Sequence, residues 1–275
     1  MRVVSWNIRA AIGPGPFPDQ WWSRIDADRL RAIGAFLSSL DADLIALQEV
    51  ALASRDGDLV DNAGDLAREL EMEVRYGAVR SFPVTDGDHL AGVGCFGNAL
   101  LSRLPLRGSR TVALPAAPND ALIESAGVDH PAAGITYADA PATIREPRSL
   151  LLAELDGLTV GSAHFSHVGS GERHLQAEAT VAAFGATSPA LLLGDLNAAI
   201  EAPELAPFAG WADAFAEPPG DAARISTDEG FRIDQVLARG ASVHGGRVLG
   251  EAGELSDHYP VVADVDAMRV ELNRR

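Results

Sequence analysis

Lysine is absent from this chain of 275 residues, and all 22 of its basic residues are arginines. They stand against 39 acidic residues, so the formal net charge is -17 at pH 7. Such a chain lacks the general positive charge with which proteins attract nucleic acids and anionic membranes. This lowers the expectation of a nucleic-acid enzyme without excluding one, because a bound metal ion can supply positive charge locally.

Cysteine and long apolar segments are also scarce. Cys95 is the only cysteine, which excludes an intrachain disulfide and a thiol-rich metal site. No segment approaches the roughly 20 apolar residues that a membrane-spanning helix needs. The apolar run at residues 3–6 is too short for a signal peptide and leads into a strand pattern. We therefore expect a soluble, cytoplasmic protein.

Hydrophobic residues make up 47% of the chain, which is ample for a large core. Short apolar runs alternate with helical patterns, as is typical of α/β proteins. Helices are predicted at 23–39, 62–71 and 171–185. Strands are predicted at 2–7, 43–48, 73–79, 91–102, 148–155, 158–165, 190–195, 231–238, 241–249 and 260–265. Residues 10–22 and 104–147 are predicted loops, and each is interpreted either as a surface insertion or as a segment that shapes a site.

One strand pattern ends in an unusual group of polar residues. Leu191, Leu192 and Leu193 are followed by Gly194-Asp195-Leu196-Asn197. The spacing of Asp195 and Asn197 places both side chains on one side of the pleat. They then face the carboxyl end of the strand, where α/β proteins tend to build their sites. A simple turn is the alternative, because Gly, Asp and Asn are common turn residues.

Polar residues also follow or interrupt other apolar strands. They are Asn7, Glu49, His164, Asp234 and the adjacent pair Asp257-His258. Each has an ordinary structural explanation when taken alone. The oxygen donors among them suit Mg²⁺, Mn²⁺ or Ca²⁺ rather than zinc. A hard cation held by few protein ligands typically contacts a substrate phosphate as well.

The remaining residue types suit attack of water on a phosphate ester. Asp234 is able to orient His258 as a carboxylate–imidazole pair, and Asp195 is able to take a proton from water. Asn197 and His164 are able to donate hydrogen bonds to a phosphoryl oxygen. Together these residues predict metal-assisted, in-line hydrolysis.

The chain resembles the endonuclease/exonuclease/phosphatase superfamily in the order and the amino-acid sequences of its motifs. The matching pieces are Ser-Trp-Asn-Ile (5–8), Ala-Leu-Gln-Glu-Val (46–50), Gly-Asn-Ala-Leu-Leu-Ser-Arg (97–103), Ala-His-Phe-Ser-His (163–167), Gly-Asp-Leu-Asn (194–197), Arg-Ile-Asp (232–234) and Ser-Asp-His-Tyr-Pro-Val (256–261). Each piece is short, but the ordered set is specific and spans nearly the whole chain.

The resemblance implies a four-layer α/β sandwich, in which two packed mixed β-sheets are flanked by helices. It implies a single domain over residues 1–275, with an inserted loop near 104–147. For the site, it implies Glu49 as the principal ligand of Mg²⁺ (Mn²⁺ or Ca²⁺ being possible), with Asn7 and Asp257 nearby. The implied catalytic residues are His164, Asp195, Asn197, Asp234 and His258, and the implied substrate-binding residues are Asn98 and Arg148.

Three departures from the family pattern concern the substrate. Gln235 stands where many relatives have an aromatic residue, and the insertion near 104–147 is unlike the compact nuclease form. For the tyrosine that the family's nucleases place beside the phosphate, Tyr76 is a candidate without a motif match. The net charge of -17 and the absence of lysine favour a phosphorylated small molecule or lipid headgroup over DNA or RNA. An endonuclease is the alternative, and a non-catalytic binding module of the same fold is a second one.

Overall fold

The computed structural model describes residues 1–15, 25–55, 57–86, 88–116, 147–167, 169–216, 225–228 and 230–266. Much of the predicted loop 10–22 and most of the predicted loop 104–147 lie outside the described residues. Among the described residues, no helix combines the length and apolar character that a membrane crossing requires.

Thirteen strands and three α-helices account for most of the described chain. The strands are β1 (Arg2–Asn7), β2 (Leu44–Arg55), β3 (Asp58–Asp61), β4 (Glu73–Asp86), β5 (His89–Ser102), β6 (Leu106–Leu114), β7 (Arg148–Leu155), β8 (Leu158–His164), β9 (Ala190–Asp195), β10 (Ala212–Asp213), β11 (Asp234–Arg239), β12 (Ser242–Val248) and β13 (Val261–Asp266). The helices are α1 (Ala27–Ser39), α2 (Asn62–Glu69) and α3 (Ser170–Phe184).

The strands form two mixed sheets. The first has the order β12-β13-β1-β2-β5-β4, with β3 paired to β2, and the second has the order β10-β11-β9-β8-β7-β6. Each contains one parallel pair among antiparallel neighbours, β1 with β2 in the first sheet and β8 with β9 in the second.

The sheets pack face to face around a shared apolar core. Val3 and Leu44 of the first sheet pack with Leu151, Leu193 and Val236 of the second, all nearly inaccessible to solvent. The outer face of the first sheet is covered by α1 and α2, and that of the second by α3 and the 3₁₀ turn Pro203–Phe208. The four layers confirm the predicted sandwich.

Several element boundaries differ from the sequence predictions. Helix α1 begins at Ala27 rather than at residue 23, because the Asp26 carboxylate caps it by accepting the N–H groups of Asp28 and Arg29 at 2.8 and 3.2 Å. Strand β6 occupies the first part of the predicted loop 104–147. Its residues are mostly exposed at a sheet edge, so it lacks the apolar alternation that reveals a strand.

The register brings the polar strand ends to one edge of the sandwich. Asn7 lies opposite Gln48 in the parallel pair β1/β2, and His164 lies opposite Asp195 in the parallel pair β8/β9. Strand β11 runs antiparallel to β9 and starts with Asp234 opposite Asp195. The carboxyl ends of both parallel pairs therefore meet the beginning of β11.

Candidate active site

Glu49 projects from a β-bulge in β2. The β2/β5 register passes from Leu47 opposite Ala99 to Val50 opposite Gly97, so two residues of β2 face one residue of β5. Glu49 has a φ of 53°, in the left-handed region. A non-glycine residue held there costs roughly 1–3 kcal/mol, and bulges of this kind redirect side chains beside active sites. The bulge explains why the sequence prediction ended this strand at residue 48.

Asn7 joins two carboxylates. Its Nδ2 donates to Glu49 Oε1 at 3.0 Å and to Asp195 Oδ2 at 3.2 Å. Its Oδ1 accepts the N–H of Arg9 at 3.1 Å. In this orientation, which follows from the hydrogen-bond network, Asn7 positions Glu49 and Asp195 and does not direct its oxygen toward them.

Asp195 lies at the centre of the cluster and is 1% exposed. Its Oδ2 is 3.3 Å from His164 Nε2 and 3.7 Å from His258 Nε2, while its Oδ1 accepts the N–H of Asn197 at 3.0 Å. Burial raises the pKa of Asp195 to about 6; His258 opposes this shift and the Asp234 carboxylate adds to it. A carboxylate with such a pKa is suited to accept a proton near neutral pH.

His258 and Asp234 form a buried pair, with Nδ1 and Oδ2 separated by 2.9 Å. Ser226 Oγ donates to the same Asp234 oxygen at 2.7 Å, and Trp6 Nε1 donates to the His258 carbonyl at 2.8 Å. Burial alone would lower the pKa of His258, but the carboxylates of Asp234 and Asp195 outweigh it and raise the pKa well above 6.5. His258 is therefore positively charged at neutral pH, and its hydrogen bond to Asp234 fixes the orientation of the ring.

His164 has the opposite electrostatic setting. Burial lowers the pKa of His164 well below 6.5, and the positive charge of Arg148 acts in the same direction. Arg148 Nη1 lies 3.1 Å from His164 Nδ1, and Arg148 Nη2 lies 3.1 Å from His167 Nδ1. A guanidinium can only donate, so Nδ1 of His164 accepts and its proton lies on Nε2, facing Asp195.

Two predicted site residues, Asn197 and Asn98, form hydrogen bonds that link separate segments of the fold. Asn197 adopts a φ of 51° and its Nδ2 donates to the Phe165 carbonyl at 3.0 Å. Asn98 Nδ2 donates to the carbonyls of Ser149 and Ser162 at 2.9 and 3.3 Å, which links the two sheets. Asn98 also lines the cleft described below.

Asp257 lies beside the cluster and is paired with Arg9, which no sequence motif indicated. Its Oδ2 is 3.1 Å from Arg9 Nε, and its Oδ1 is 3.2 Å from Ser256 Oγ. Ser256 Oγ donates to the Asn7 carbonyl at 2.8 Å, which connects Asp257 with the end of β1. Arg9 is 8% exposed and has a φ of 47°.

The donor chemistry fits a hard divalent cation. Ligand atoms of Asp195, Asp234 and His258 lie within 4.8 Å of one another. Oδ1 of Asp234 is buried and has no hydrogen-bond partner within the described part of the chain. Nδ1 of His258 is engaged by Asp234 Oδ2 at 2.9 Å, so its Nε2 is the nitrogen that faces Asp195, at 3.7 Å. Glu49, half-buried at the bulge, is the carboxylate of the cluster that opens onto the cleft.

The cleft beside this cluster encloses about 320 Å³ of empty space, open solvent included. Its walls are Glu49, Val79, Arg80, Phe96, Gly97, Asn98, Pro147, Arg148 and His164. Val79, Arg80 and Phe96 were not among the residues predicted from the sequence. They lie in extended strands whose residues alternate without a motif, so the sequence alone carries no signal for them.

Tyr76, the candidate named above for a tyrosine beside the phosphate, lies elsewhere. Its hydroxyl donates to the Val50 carbonyl at 3.2 Å, and its ring packs against the core beneath α1 and α2. Burial raises the pKa of this phenol above its ordinary value. It is therefore a core residue in the described structure.

The model of the endonuclease/exonuclease/phosphatase family matches residues 4–258. The chain belongs to this family. The family includes phosphatases, nucleases and phosphodiesterases. Its members typically hydrolyse phosphate esters and generally depend on a divalent metal. No curated protein matches the chain.

Solved structures of the same fold are numerous. A family member from Beutenbergia cavernae DSM 12333 has 23% sequence identity and a TM-score of 0.67, over 96% of this chain and 70% of its own. The mannosyl-6-phosphatase Bt3783 of Bacteroides thetaiotaomicron VPI-5482 has 18% identity and a TM-score of 0.62, over 97% and 100%. The human Nocturnin catalytic domain with a bound sulfate anion has 19% identity and a TM-score of 0.64, over 97% and 93%.

Proposed function

We propose that this protein is a divalent-metal-dependent phosphoesterase that acts on a phosphorylated small molecule or lipid headgroup. The observation that carries the proposal is the contact shell of Asp195. A buried carboxylate with a pKa raised to about 6 is contacted by Asn7, by a neutral histidine and by a histidine held as an imidazolium. Such a shell suits removal of a proton from water beside a phosphate.

Glu49 is the proposed principal ligand of Mg²⁺, with Asp257 as a second carboxylate and Asn7 holding Glu49 in place. The left-handed backbone and the bulge direct Glu49 into the cleft, which supports this assignment. When bound, the metal would supply positive charge that stabilises the charge of the phosphate. Mn²⁺ or Ca²⁺ would suit the same oxygen ligands.

The roles of the chain's own residues follow from their protonation. Asp195 accepts a proton from the attacking water. His258, kept charged by Asp234, donates a hydrogen bond from Nε2 to a phosphoryl oxygen and balances its growing negative charge. His164 is neutral and offers its Nε2 proton to the same region. We propose that Asn98 supports the cleft wall, that Asn197 holds the segment after His164, and that Arg148 orients His164 beside the substrate.

A small substrate is supported by the charge of the chain. The formal net charge of -17 and the absence of lysine argue against a long nucleic acid. The name mannosyl-6-phosphatase indicates a phosphorylated sugar as the substrate of that protein. Sugar phosphates are therefore among the compounds to test. A cytoplasmic location and a single domain over residues 1–275 remain predictions.

The test is hydrolysis by purified protein with Mg²⁺ or Mn²⁺ of phosphomonoesters, phosphodiesters, sugar phosphates, inositol phosphates and plasmid DNA. We expect turnover of at least one small ester that is abolished by a chelator. Glu49→Gln should abolish it too, while Glu154→Gln, at the exposed residue near the end of β7, should not. Rapid nicking of plasmid DNA would favour the endonuclease alternative, and no metal-dependent turnover of any compound would favour a binding module.

A further inference from the structure

Two β-bulges face each other across strand β5. On one side, the β2/β5 register shifts between Leu47 and Val50. On the other side, the β4/β5 register passes from Ala78 opposite Gly97 to Arg80 opposite Phe96, which leaves Val79 as an extra residue. Gly97 is the β5 residue at both shifts, so both neighbours of β5 are distorted at the same level.

The second bulge changes the direction of side chains in β4. In a regular strand, consecutive side chains point to opposite faces. Val79 and Arg80 are consecutive, yet both line the cleft that contains Glu49. The bulge in β2 brings Glu49 into this cleft from one flank of β5, and the bulge in β4 brings Arg80 into it from the other. Bulges are a common device for aiming side chains at a site.

Among the described residues, Arg80 has no acidic partner, unlike several other arginines. Arg9 is paired with Asp257, Arg173 with Glu204 and Arg232 with Asp213. No hydrogen bond or ion pair joins Arg80 to any residue within the described ranges, and its side chain is exposed. In a chain with a net charge of -17, an unneutralised guanidinium in a cleft is a local attractor for anions.

Phe96 adds an apolar surface next to this charge. It lies directly opposite Arg80 in the register and is half-buried in the cleft wall. Gly97 follows it, and a Cβ at Gly97 would lie 2.1 Å from the Gly77 carbonyl oxygen, so this part of the wall has no room for another side chain. Arg148, the other cleft arginine, directs its guanidinium nitrogens to His164 and His167.

We propose that Arg80 and Phe96 form a subsite for a second anionic group of the substrate, separate from the phosphate that is hydrolysed. The guanidinium fork binds a second phosphate or a carboxylate, and the Phe96 ring packs against the carbon skeleton between the two anions. This inference rests on the proposed function, which it narrows to small phosphate esters that carry two anionic groups.

The kinetic test compares fructose 1,6-bisphosphate with fructose 6-phosphate in the presence of Mg²⁺. Wild-type protein should show a higher kcat/KM for the bisphosphate, by about tenfold to a hundredfold, as expected for a hydrogen bond to a charged group. Arg80→Ala should bring the ratio of the two values close to one, and Arg80→Lys should restore part of it. Arg107→Ala, at an exposed position of β6, is the matched control and should keep the wild-type ratio.

Binding of fructose 1,6-bisphosphate to metal-free protein, measured by calorimetry, separates this inference from the proposed function. Loss of affinity of at least about tenfold in Arg80→Ala supports the subsite even if no ester is hydrolysed. Equal affinity of wild type and Arg80→Ala, or an unchanged kinetic ratio in Arg80→Ala, would overturn it. Equal preference of the wild type for both esters would overturn it as well.

Discussion

Replacement of Asp195 by asparagine separates the chemistry of the site from its fold. Asp195→Asn preserves the size of the side chain and removes its charge and its capacity to accept a proton. General-base catalysis typically contributes about 10²–10⁴-fold, so kcat should fall by about that factor. Glu49 and Asp257 are untouched, so Mn²⁺ affinity should change little.

The same substitution has a definite cost for folding. One carboxylate oxygen faces the donors of Asn7 and His164, and the other accepts the N–H of Asn197. A carboxamide directs its NH₂ group to one of these donors in either orientation. A buried donor left without an acceptor costs about 1–3 kcal/mol, and this is the expected decrease in the free energy of unfolding.

The assay is steady-state hydrolysis of the best small ester, with Mn²⁺ titration calorimetry and urea denaturation on the same samples. Asp41→Asn is the matched control, because its side chain is 77% exposed and pairs with Arg103 at the surface. A kcat within about threefold of wild type, far less than the 10²–10⁴-fold of general-base catalysis, would refute the role of Asp195. Loss of Mn²⁺ binding would place Asp195 among the metal ligands instead.

Three further predictions follow from the same contacts. Asp234→Asn removes the carboxylate that keeps His258 charged and should lower kcat by about 10²–10³-fold with little change in KM. An unchanged kcat would contradict the pairing. In metal-free protein, NMR titration should show His258 protonated well above pH 6.5 and His164 neutral, with its proton on Nε2. Titration of both imidazoles near pH 6.5 would be inconsistent with the contacts described. Because the pKa of His258 is raised in the folded state, protonation of His258 stabilises the fold fully below pH 6.5. This stabilisation is lost as the pH rises through the folded-state pKa. Gly194→Ala places a Cβ 2.0 Å from the Ala163 carbonyl oxygen. It should therefore lower the free energy of unfolding, measured by urea denaturation, by about 1–3 kcal/mol. Unchanged stability would show that β8 and β9 separate easily.

The sheets and the edge where the site lies were largely predictable from the sequence. Strand β9 is a continuous apolar run that ends in Asp195, and β1 ends in Asn7 in the same manner. Buried strands of this kind are recognisable because most residues are apolar until the chain leaves the core. The family motifs supplied the order in which these strand ends meet.

Features that depend on register or on partners distant in sequence were not predictable. Residues Gln48 and Glu49 resemble the end of a strand, but β2 passes through a bulge and continues to Arg55. Arg80 reaches the cleft because of a second bulge that no local pattern encodes. Ser226 and Arg9 act through Asp234 and Asp257, which lie 8 and 248 positions away along the chain.

The most direct test of the central claim is hydrolysis of a small phosphate ester by wild type and Glu49→Gln, with Mg²⁺, after chelation and after Mg²⁺ is restored. We expect turnover by the wild type that is lost on chelation and recovered with Mg²⁺. Glu49→Gln should stay folded, as shown by its circular dichroism spectrum, and remain inactive under all three conditions. Turnover that persists after chelation, or in Glu49→Gln at the wild-type rate, would contradict a metal-dependent phosphoesterase centred on Glu49.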